Sequence, residues 1–257
     1  MRALICAGGT GGGVYPALAV HNALKTTNPD VETLWVGGEG GMEARLVERA
    51  GIPFKTIPAA GLHGVAVRRL PGNLAAILRG VKIATVILKE FKPDVLFFTG
   101  GFVAVPVALA GRKIPTLLYV PDIEPGLALK VLAYFARCIT VTSEESKQYF
   151  SSKANIIVTG YPIRDELGQW DKNTARKQFG IQEGRPIILV FGGSKGAHSL
   201  NEALLVHLSN LLAHTDVIHI SGDLDWPEVQ SYQKTLEKNL AEHYHAYQYL
   251  HEEMGAA

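Results

Sequence analysis

Two glycine-rich segments contain the residue types best suited to binding phosphate groups. The first is Gly8-Gly9-Thr10-Gly11-Gly12-Gly13, and the second is Gly192-Gly193-Ser194-Lys195-Gly196-Ala197. Each follows a short apolar run typical of a β-strand and precedes a run typical of a helix. Backbone without side chains can approach a ligand closely, and the free N–H groups of a helix start attract anions. Both segments therefore predict phosphate binding, although a tight strand-to-helix turn without a ligand is also open for the first.

Neither segment matches a common nucleotide-binding signature. Val14 and Pro16 break the G-x-G-x-x-G spacing of dinucleotide-binding folds, and the chain contains no Gly-Lys pair of the Walker A type. The segments thus indicate anion binding without indicating a nicotinamide cofactor or ATP. We expect no cofactor and no metal.

The composition is that of a globular protein with little net charge. The chain has 257 residues, of which 47% are hydrophobic and 19% charged, which allows one large or two ordinary domains. A net charge of +1 gives no reason to expect a nucleic-acid partner. Cys6 and Cys138 lie in apolar runs, which is typical of buried thiols in a reducing compartment. With neither a signal peptide nor a membrane span expected, we predict a cytosolic protein.

Strand and helix patterns alternate along the chain, which predicts parallel sheets with helices on both faces. The predicted strands are 4–7, 31–36, 54–57, 94–99, 116–120, 138–142, 186–191, 217–220 and 247–250. Helices are predicted at 14–24, with Pro16 in the first turn, and at 42–50, 200–208 and 227–241. The predicted fold class is α/β, with two doubly wound domains at 1–161 and 162–257. The second has fewer strands and is expected to be incomplete.

Residues 65–92 combine a helical apolar pattern with positive charge. The apolar positions are Leu70, Leu74, Ile77, Leu78, Val81 and Ile83. The basic residues are Arg68, Arg69, Arg79, Lys82, Lys89 and Lys92, against one acid, Glu90. Two interpretations are open: a helix packed on the sheet with a solvated basic side, or a surface that rests on an anionic bilayer.

Three motifs, in order and spacing, resemble those of the N-acetylglucosaminyltransferase family of peptidoglycan synthesis. They are residues 7–12, residues 160–164 (Gly-Tyr-Pro-Ile-Arg) and residues 192–197, and the resemblance extends through 250–254. That family moves GlcNAc from UDP-GlcNAc to undecaprenyl-pyrophosphoryl-MurNAc-pentapeptide, which turns lipid I into lipid II. The resemblance implies two Rossmann-like domains of the GT-B type. It also implies an inverting, metal-independent transfer at the cytoplasmic face of the plasma membrane, where the protein would be peripheral.

The resemblance also implies roles for single residues. The first loop, which would lie where acceptor and donor meet, contains Thr10, Gly11, Gly12 and Gly13. Arg164 would lie near the nucleotide and phosphates of the donor. A donor phosphate would bind at Ser194, Lys195 and Gly196, and His251 would contact the uracil through its backbone. Fixed N–H groups, a hydroxyl and an arginine can stabilise a leaving pyrophosphate without a metal.

The chain departs from the family pattern at positions that concern catalysis. Gly13 stands where the family has a histidine, a candidate general base. Residues 119–122 read Tyr-Val-Pro-Asp in place of His-Glu-Gln-Asn, and Tyr161 replaces an asparagine. Asp122 and Glu124 are then the remaining candidates for the base. A Pro-Asp turn with a solvent-facing acid is the alternative.

Three functions are open on the sequence alone. We favour a family glycosyltransferase over a nucleotide-sugar epimerase of the same fold and over a non-catalytic subunit that anchors a separate catalytic chain at the membrane. The family's C-terminal segment, with an acid for the ribose hydroxyls and glutamines for GlcNAc, is expected to be missing. We therefore expect a C-terminally truncated fragment that does not transfer GlcNAc by itself.

Overall fold

In the computed structural model, the chain divides into two compact units, a first unit at Met1–Arg164 and a second unit at Asp165–Ala257. The structure describes residues 1–9, 11–41, 43–61, 65–163, 168–193, 196–250 and 252–257. Each unit is built on its own parallel sheet.

Seven parallel strands form the sheet of the first unit. They are β1 (Arg2–Cys6), β2 (Glu32–Gly38), β3 (Phe54–Ile57), β4 (Val95–Phe98), β5 (Thr116–Val120), β6 (Cys138–Val141) and β7 (Ile156–Val158). Their order across the sheet is β3-β2-β1-β4-β5-β6-β7. Strands β2 and β3 therefore lie on one side of β1, and strands β4 to β7 lie in sequence order on its other side.

Helices cover both faces of this sheet. They are α1 (Gly11–Thr27), α2 (Glu43–Arg49), α3 (Leu70–Phe91), α4 (Ala104–Ala110) and α5 (Leu127–Ala133), with 3-10 turns at Val67–Arg69 and Glu144–Tyr149. Successive strand residues point to opposite faces, so Leu4 and Phe98 join one buried cluster while Ile5 and Phe97 join the other. This two-sided burial explains why the central strands are apolar throughout.

The second unit has a smaller sheet of the same type. Its elements are α6 (Lys172–Phe179), β8 (Ile187–Phe191), α7 (His198–Leu212), β9 (Asp216–Ile220), α8 (Trp226–Gln233), α9 (Lys238–Ala241), β10 (Tyr244–Tyr247) and a 3-10 turn at Glu252–Gly255. The strand order is β10-β9-β8, with both pairings parallel. All five residues of the middle strand β9 are buried, as its place between two neighbours requires.

The first helix begins earlier than the sequence predicted. It starts at Gly11, not Val14, so three glycines form its first turn and Pro16 lies inside the helix. The prediction was wrong because glycine runs usually indicate a turn, whereas the first N–H groups of a helix need no helical partner. Pro16 has no N–H to donate to the carbonyl of Gly12. That carbonyl instead accepts a hydrogen bond of 3.5 Å from the hydroxyl of Tyr161.

Two predictions near the end of the chain are also corrected. The helix predicted at 227–241 is two helices, α8 and α9. Thr235 separates them, because its N–H and its hydroxyl both donate to the carbonyl of Tyr232, at 2.9 and 2.7 Å. The last strand lies at Tyr244–Tyr247, not at 247–250, and its register pairs Tyr244 with Val217 and Tyr247 with Ile220.

Candidate functional site

The first glycine segment lies where the strand order of the first unit reverses. Strand β1 pairs with β2 on one side and with β4 on the other. Ligands of doubly wound sheets bind outside the carboxyl ends of the strands at this point. The turn at 7–9 and the first turn of α1 occupy this position.

The first turn of α1 offers backbone N–H groups to a ligand. Gly11, Gly12 and Gly13 belong to this turn, where N–H groups have no partner within the helix. Such N–H groups and the helix dipole favour an anion. Gly12 is exposed, whereas Gly13 is buried and its carbonyl accepts a 2.6 Å hydrogen bond from the hydroxyl of Thr99. Thr10 lies outside the described residues.

The turn after β4 packs directly against the turn after β1. Gly100 and Gly101 have φ angles of 122° and 84°, in the region that favours glycine. A β-carbon on Gly101 would lie 2.5 Å from the carbonyl oxygen of Gly8. Only a glycine at 101 therefore lets these two backbone segments touch.

Two tyrosines lie beside the glycine turn. The hydroxyl of Tyr161 donates to Gly12, and its ring meets the ring of Tyr119 edge to face with centroids 6.4 Å apart. The hydroxyl of Tyr119 donates to the carbonyl of Gly160 at 3.3 Å, which fixes the segment that carries Tyr161. Burial, and then the charge of Asp122, raise the pKa of Tyr161. Tyr161 therefore remains a protonated hydrogen-bond donor at neutral pH.

The two candidate acids have different surroundings. The charge of Asp122 reaches Tyr161 and Tyr119 and contributes to the raised pKa of both phenols. The side chain of Glu124 is 67% exposed and pairs with Lys130 at 3.8 Å. Asp122 thus belongs to the group of polar residues near the glycine turn, and Glu124 is paired with Lys130 of α5.

The second glycine segment also forms a tight turn before a helix. Gly193 and Gly196 have φ angles of 81° and 84°, and the N–H of Gly196 donates to the carbonyl of Gly193 at 3.1 Å. A β-carbon on Gly196 would overlap the carbonyl oxygen of Ser221 at the end of β9. Helix α7 begins two residues later, at His198. The other predicted donor contacts, Arg164, Ser194, Lys195 and His251, lie outside the described residues.

A buried hydrogen-bond network connects α7 with β9 and β10. Asn201 donates to the carbonyl of Ser221 at 2.8 Å and to the carboxylate of Asp225 at 2.7 Å, which fixes the orientation of its amide. Its carbonyl oxygen lies 3.0 Å from His219 Nε2, so Nε2 carries the proton and donates. The other nitrogen, Nδ1, then accepts from the hydroxyl of Tyr244 at 2.8 Å. The network therefore requires a neutral His219.

The stability of the second unit should depend on the charge of His219. Burial lowers the pKa of His219 from 6.5 to about 4. Above pH 6.5 the imidazole is neutral in both the folded and the unfolded chain. Between pH 6.5 and pH 4 it is protonated in the unfolded chain but stays neutral in the folded one, which favours unfolding. We expect the free energy of unfolding to fall between about pH 6.5 and pH 4 by up to about 3 kcal/mol.

Urea unfolding followed at the β9 amide resonances, at pH 7.5 and 4.5, measures this dependence. His219→Gln should remove most of it, and His207→Gln, at an exposed position of α7, should leave it unchanged. A wild-type protein with equal stability at both pH values would contradict the neutral assignment.

One group of described residues has ligand atoms close enough together for a metal. His198, Asp225 and Glu228 place such atoms within 4.8 Å of one another. Asp225 and Glu228 lie at the start of α8, where the helix dipole stabilises acidic groups. Asp225 also lies 3.0 Å from His198 and raises the pKa of that histidine. An ion pair at a helix start accounts for the group, and we assign it no metal.

Models of two glycosyltransferase domains match the chain. The glycosyltransferase family 28 N-terminal domain matches residues 3–141, and the glycosyltransferase family 28 C-terminal domain matches residues 187–257. A curated relative from Desulforudis audaxviator is 39% identical over 236 residues, which are 89% of this chain and 62% of the relative. It is named UDP-N-acetylglucosamine--N-acetylmuramyl-(pentapeptide) pyrophosphoryl-undecaprenol N-acetylglucosamine transferase. The chain thus spans less than two thirds of that relative's length.

Solved structures agree with this assignment. The crystal structure of Acinetobacter baumannii MurG matches with a TM-score of 0.66 and 26% identity, over 96% of this chain and 66% of that one. The UDP-GlcNAc 2-epimerase of Neisseria meningitidis, bound to UDP-GlcNAc, matches with a TM-score of 0.64 and 15% identity, over 99% and 74%. At that identity the epimerase shows a shared fold alone. The predicted α/β fold class of the GT-B type is confirmed.

Proposed function

The chain belongs to glycosyltransferase family 28, and we propose that, together with the part of its relatives that it does not span, it transfers GlcNAc from UDP-GlcNAc to a lipid-linked acceptor. The acceptor is MurNAc-pentapeptide joined through a pyrophosphate to undecaprenol, so that lipid I becomes lipid II. The name of the 39% identical relative supports this reaction. The observation that carries the proposal is the first turn of α1, whose N–H groups are available to a phosphate at the switch point of the sheet.

The donor is proposed to bind the second unit. Gly196 belongs to the tight turn before α7, and Ser194 and Lys195 lie beside it in the sequence. A UDP diphosphate bound there would gain charge as the sugar leaves, which fixed N–H groups stabilise. Arg164 and His251 are the other proposed donor contacts, through the phosphates and the uracil.

The acceptor is proposed to bind the first unit. Gly11, Gly12 and Gly13 would hold its pyrophosphate, with Thr10 beside them. Asp122 would remove the proton from the sugar hydroxyl as that oxygen attacks the anomeric carbon of GlcNAc. The hydroxyl oxygen attacks from the face opposite UDP while the bond between the sugar and UDP breaks with its electron pair on UDP, which inverts the anomeric centre. Fixed N–H groups and Arg164 would stabilise the leaving UDP in place of a metal.

Binding of UDP-GlcNAc tests the donor site. Calorimetry would use this chain and a completed chain, which continues it with the part of the Desulforudis audaxviator relative that it does not span. We expect Arg164→Ala to weaken binding to the completed chain by about 1.5–3 kcal/mol, the range for hydrogen bonds to charged groups. Arg79→Ala, exposed on α3, is the control. Full affinity in Arg164→Ala would remove that residue from the donor site.

The outer face of α3 suits a negatively charged membrane surface. Ile77, Ala84 and Ile87 are buried, while Leu74, Leu78 and Val86 are 52%, 58% and 53% exposed. Around these lie the exposed basic residues Arg79, Lys82 and Lys89. The acid of this segment, Glu90, pairs with Lys55 at 2.7 Å. No helix in the described part of the chain is long and apolar enough to cross a bilayer.

We therefore propose a peripheral protein that rests on an anionic membrane through α3, at the cytoplasmic face of the plasma membrane. Arg79→Glu combined with Lys82→Glu should weaken binding to phosphatidylglycerol vesicles by at least about 30-fold, at about 1 kcal/mol for each lost charge. Vesicle sedimentation measures the binding. Binding should also fall with added salt, because the Debye length is only about 10 Å at 0.1 M.

The matched control is Lys172→Glu combined with Lys177→Glu, two exposed lysines of α6 in the second unit. These changes alter the net charge equally and should leave vesicle binding nearly intact. Equal losses in both double variants would show attraction by overall charge, without a role for the α3 surface.

A further inference from the structure

A buried glutamate connects the two glycine-rich turns of the first unit. Glu43, the first residue of α2, is only 1% exposed. Its Oε1 accepts a 2.8 Å hydrogen bond from the N–H of Gly38, the last residue of β2. Its Oε2 accepts a 3.4 Å hydrogen bond from the N–H of Gly9, in the turn after β1. One carboxylate thus holds backbone groups of two segments that are far apart in the sequence.

Several glycines of these turns make room for this carboxylate. A β-carbon on Gly8 or on Gly41 would overlap the carboxylate of Glu43. One on Gly37 would lie 2.6 Å from the ring of Phe54 and 2.9 Å from Oε1 of Glu43. Gly9 and Gly40 differ, because a β-carbon on either would meet nothing within 4 Å, and their positive φ angles alone explain the glycine. Gly8 and Gly41 therefore make room for Glu43, and Gly37 makes room for both Phe54 and Glu43.

The carboxylate of Glu43 is stabilised by these backbone groups. Among the residues that the structure describes, no lysine, arginine or histidine forms an ion pair with it. Burying a carboxylate is unfavourable unless hydrogen bonds compensate it, and N–H donors to a charged acceptor form the strong class of such bonds. The carboxylate lies against Gly8, just after β1, and its charge adds to burial in raising the pKa of the Cys6 thiol. The hydrogen bond to Gly9 thus fixes the turn after β1, and the charge affects Cys6 at the end of that strand.

We propose that Glu43 is a positioning residue that fixes the turn after β1 so that the N–H groups of Gly11, Gly12 and Gly13 face the acceptor's pyrophosphate. This inference rests on the proposed function, which supplies the pyrophosphate. The N–H of Gly9 already donates to Glu43, so it is not available to the anion. The anion would therefore bind to the N–H groups at the start of α1. The carboxylate itself is buried, whereas Gly12 in the first turn of α1 is exposed.

The matched pair Glu43→Gln and Glu39→Gln tests this role. Both substitutions change a carboxylate to an amide within a few residues of each other, but Glu39 is exposed. In Glu43→Gln an NH2 group replaces one acceptor, so one of the two N–H groups loses its partner. In the protein without ligand, we expect the amide resonances of Gly9 and Gly38 to shift, and the N–H that loses its partner to exchange at least tenfold faster. Glu39→Gln should leave both resonances unchanged, and unchanged Gly9 and Gly38 in Glu43→Gln would overturn the proposal.

A titration with inorganic pyrophosphate tests the consequence for binding. The shifts of Gly11, Gly12 and Gly13 should saturate at a concentration at least tenfold higher in Glu43→Gln than in the wild type or Glu39→Gln. If Glu43→Gln does not fold, Glu43→Asp keeps the charge but is one methylene shorter, and the same loss is expected. Wild-type affinity in either folded variant would overturn the positioning role. If the wild-type amide resonances do not shift with pyrophosphate, the proposed function of this turn is wrong. The comparison without ligand still decides whether Glu43 fixes the turn after β1.

Discussion

Asp122→Asn is expected to lower kcat for GlcNAc transfer by about 100- to 10,000-fold, the usual contribution of a general acid or base. The amide cannot take the proton of the acceptor hydroxyl, so the loss should be in kcat with little change in KM for UDP-GlcNAc. The assay follows transfer of labelled GlcNAc to undecaprenyl-pyrophosphoryl-MurNAc-pentapeptide by the completed chain. Asp122 is preferred because its charge reaches Tyr161, which donates to the glycine turn.

Glu124→Gln is the matched control for this experiment. Glu124 lies two residues further along the same segment, is exposed and pairs with Lys130 at 3.8 Å. Surface ion pairs of this type contribute little, about 0–1 kcal/mol, so activity should remain within a few-fold of the wild type. A large loss of activity in Glu124→Gln, together with an active Asp122→Asn, would mean that Glu124 and not Asp122 is the general base.

Gly101→Ala is expected to destabilise the first unit by about 2–6 kcal/mol, from backbone strain and overpacking together. The alanine must adopt a φ of 84°, which costs about 1–3 kcal/mol. Its β-carbon would also lie 2.5 Å from the carbonyl oxygen of Gly8, and overpacking of this kind costs about 1–3 kcal/mol more. Urea unfolding measures the sum, and pyrophosphate binding at the first turn of α1 should be lost with it.

Gly40→Ala separates the two contributions. Gly40 has a φ of 69°, but a β-carbon there would meet nothing within 4 Å. Gly40→Ala should therefore lower the free energy of unfolding only by the conformational cost of a positive φ, about 1–3 kcal/mol, and should leave the pyrophosphate affinity unchanged. Equal destabilisation by the two substitutions would mean that the turn after β4 can move away from the turn after β1 without cost.

Much of the sheet was predictable because its strands are apolar runs between turn residues. The strands at 54–57 and 116–120 were predicted with the bounds that the structure has. Strand β7 was missed, because it is only three residues long and Ile157 is half exposed. The start of α1 was misplaced, because glycine has a low helix propensity and its runs usually indicate a turn. The sequence does not show that the three glycines form the first turn of the helix, where N–H groups need no partner within the helix.

The site was predictable in part. The two glycine segments are visible as strand-glycine-helix patterns. In the structure the first continues into α1 and the second precedes α7. Glu43 was missed, because its bond to Gly9 joins residues 34 positions apart and no local pattern indicates it. Tyr161 was noticed only as a departure from a family motif. Its contact with Gly12 spans 149 positions, and the missing N–H of Pro16 is the one signal in the sequence that this carbonyl needs another donor.

The central proposal is that the completed chain transfers GlcNAc to the lipid-linked acceptor and does not epimerise the same donor. The most direct measurement incubates the completed chain with UDP-GlcNAc labelled in the sugar, with and without undecaprenyl-pyrophosphoryl-MurNAc-pentapeptide, and separates lipid from nucleotide-sugar products. We expect label in the lipid fraction only when the acceptor is present, and no conversion of UDP-GlcNAc to its C2 epimer. Conversion to the epimer without acceptor, with no labelled lipid, would contradict the assignment.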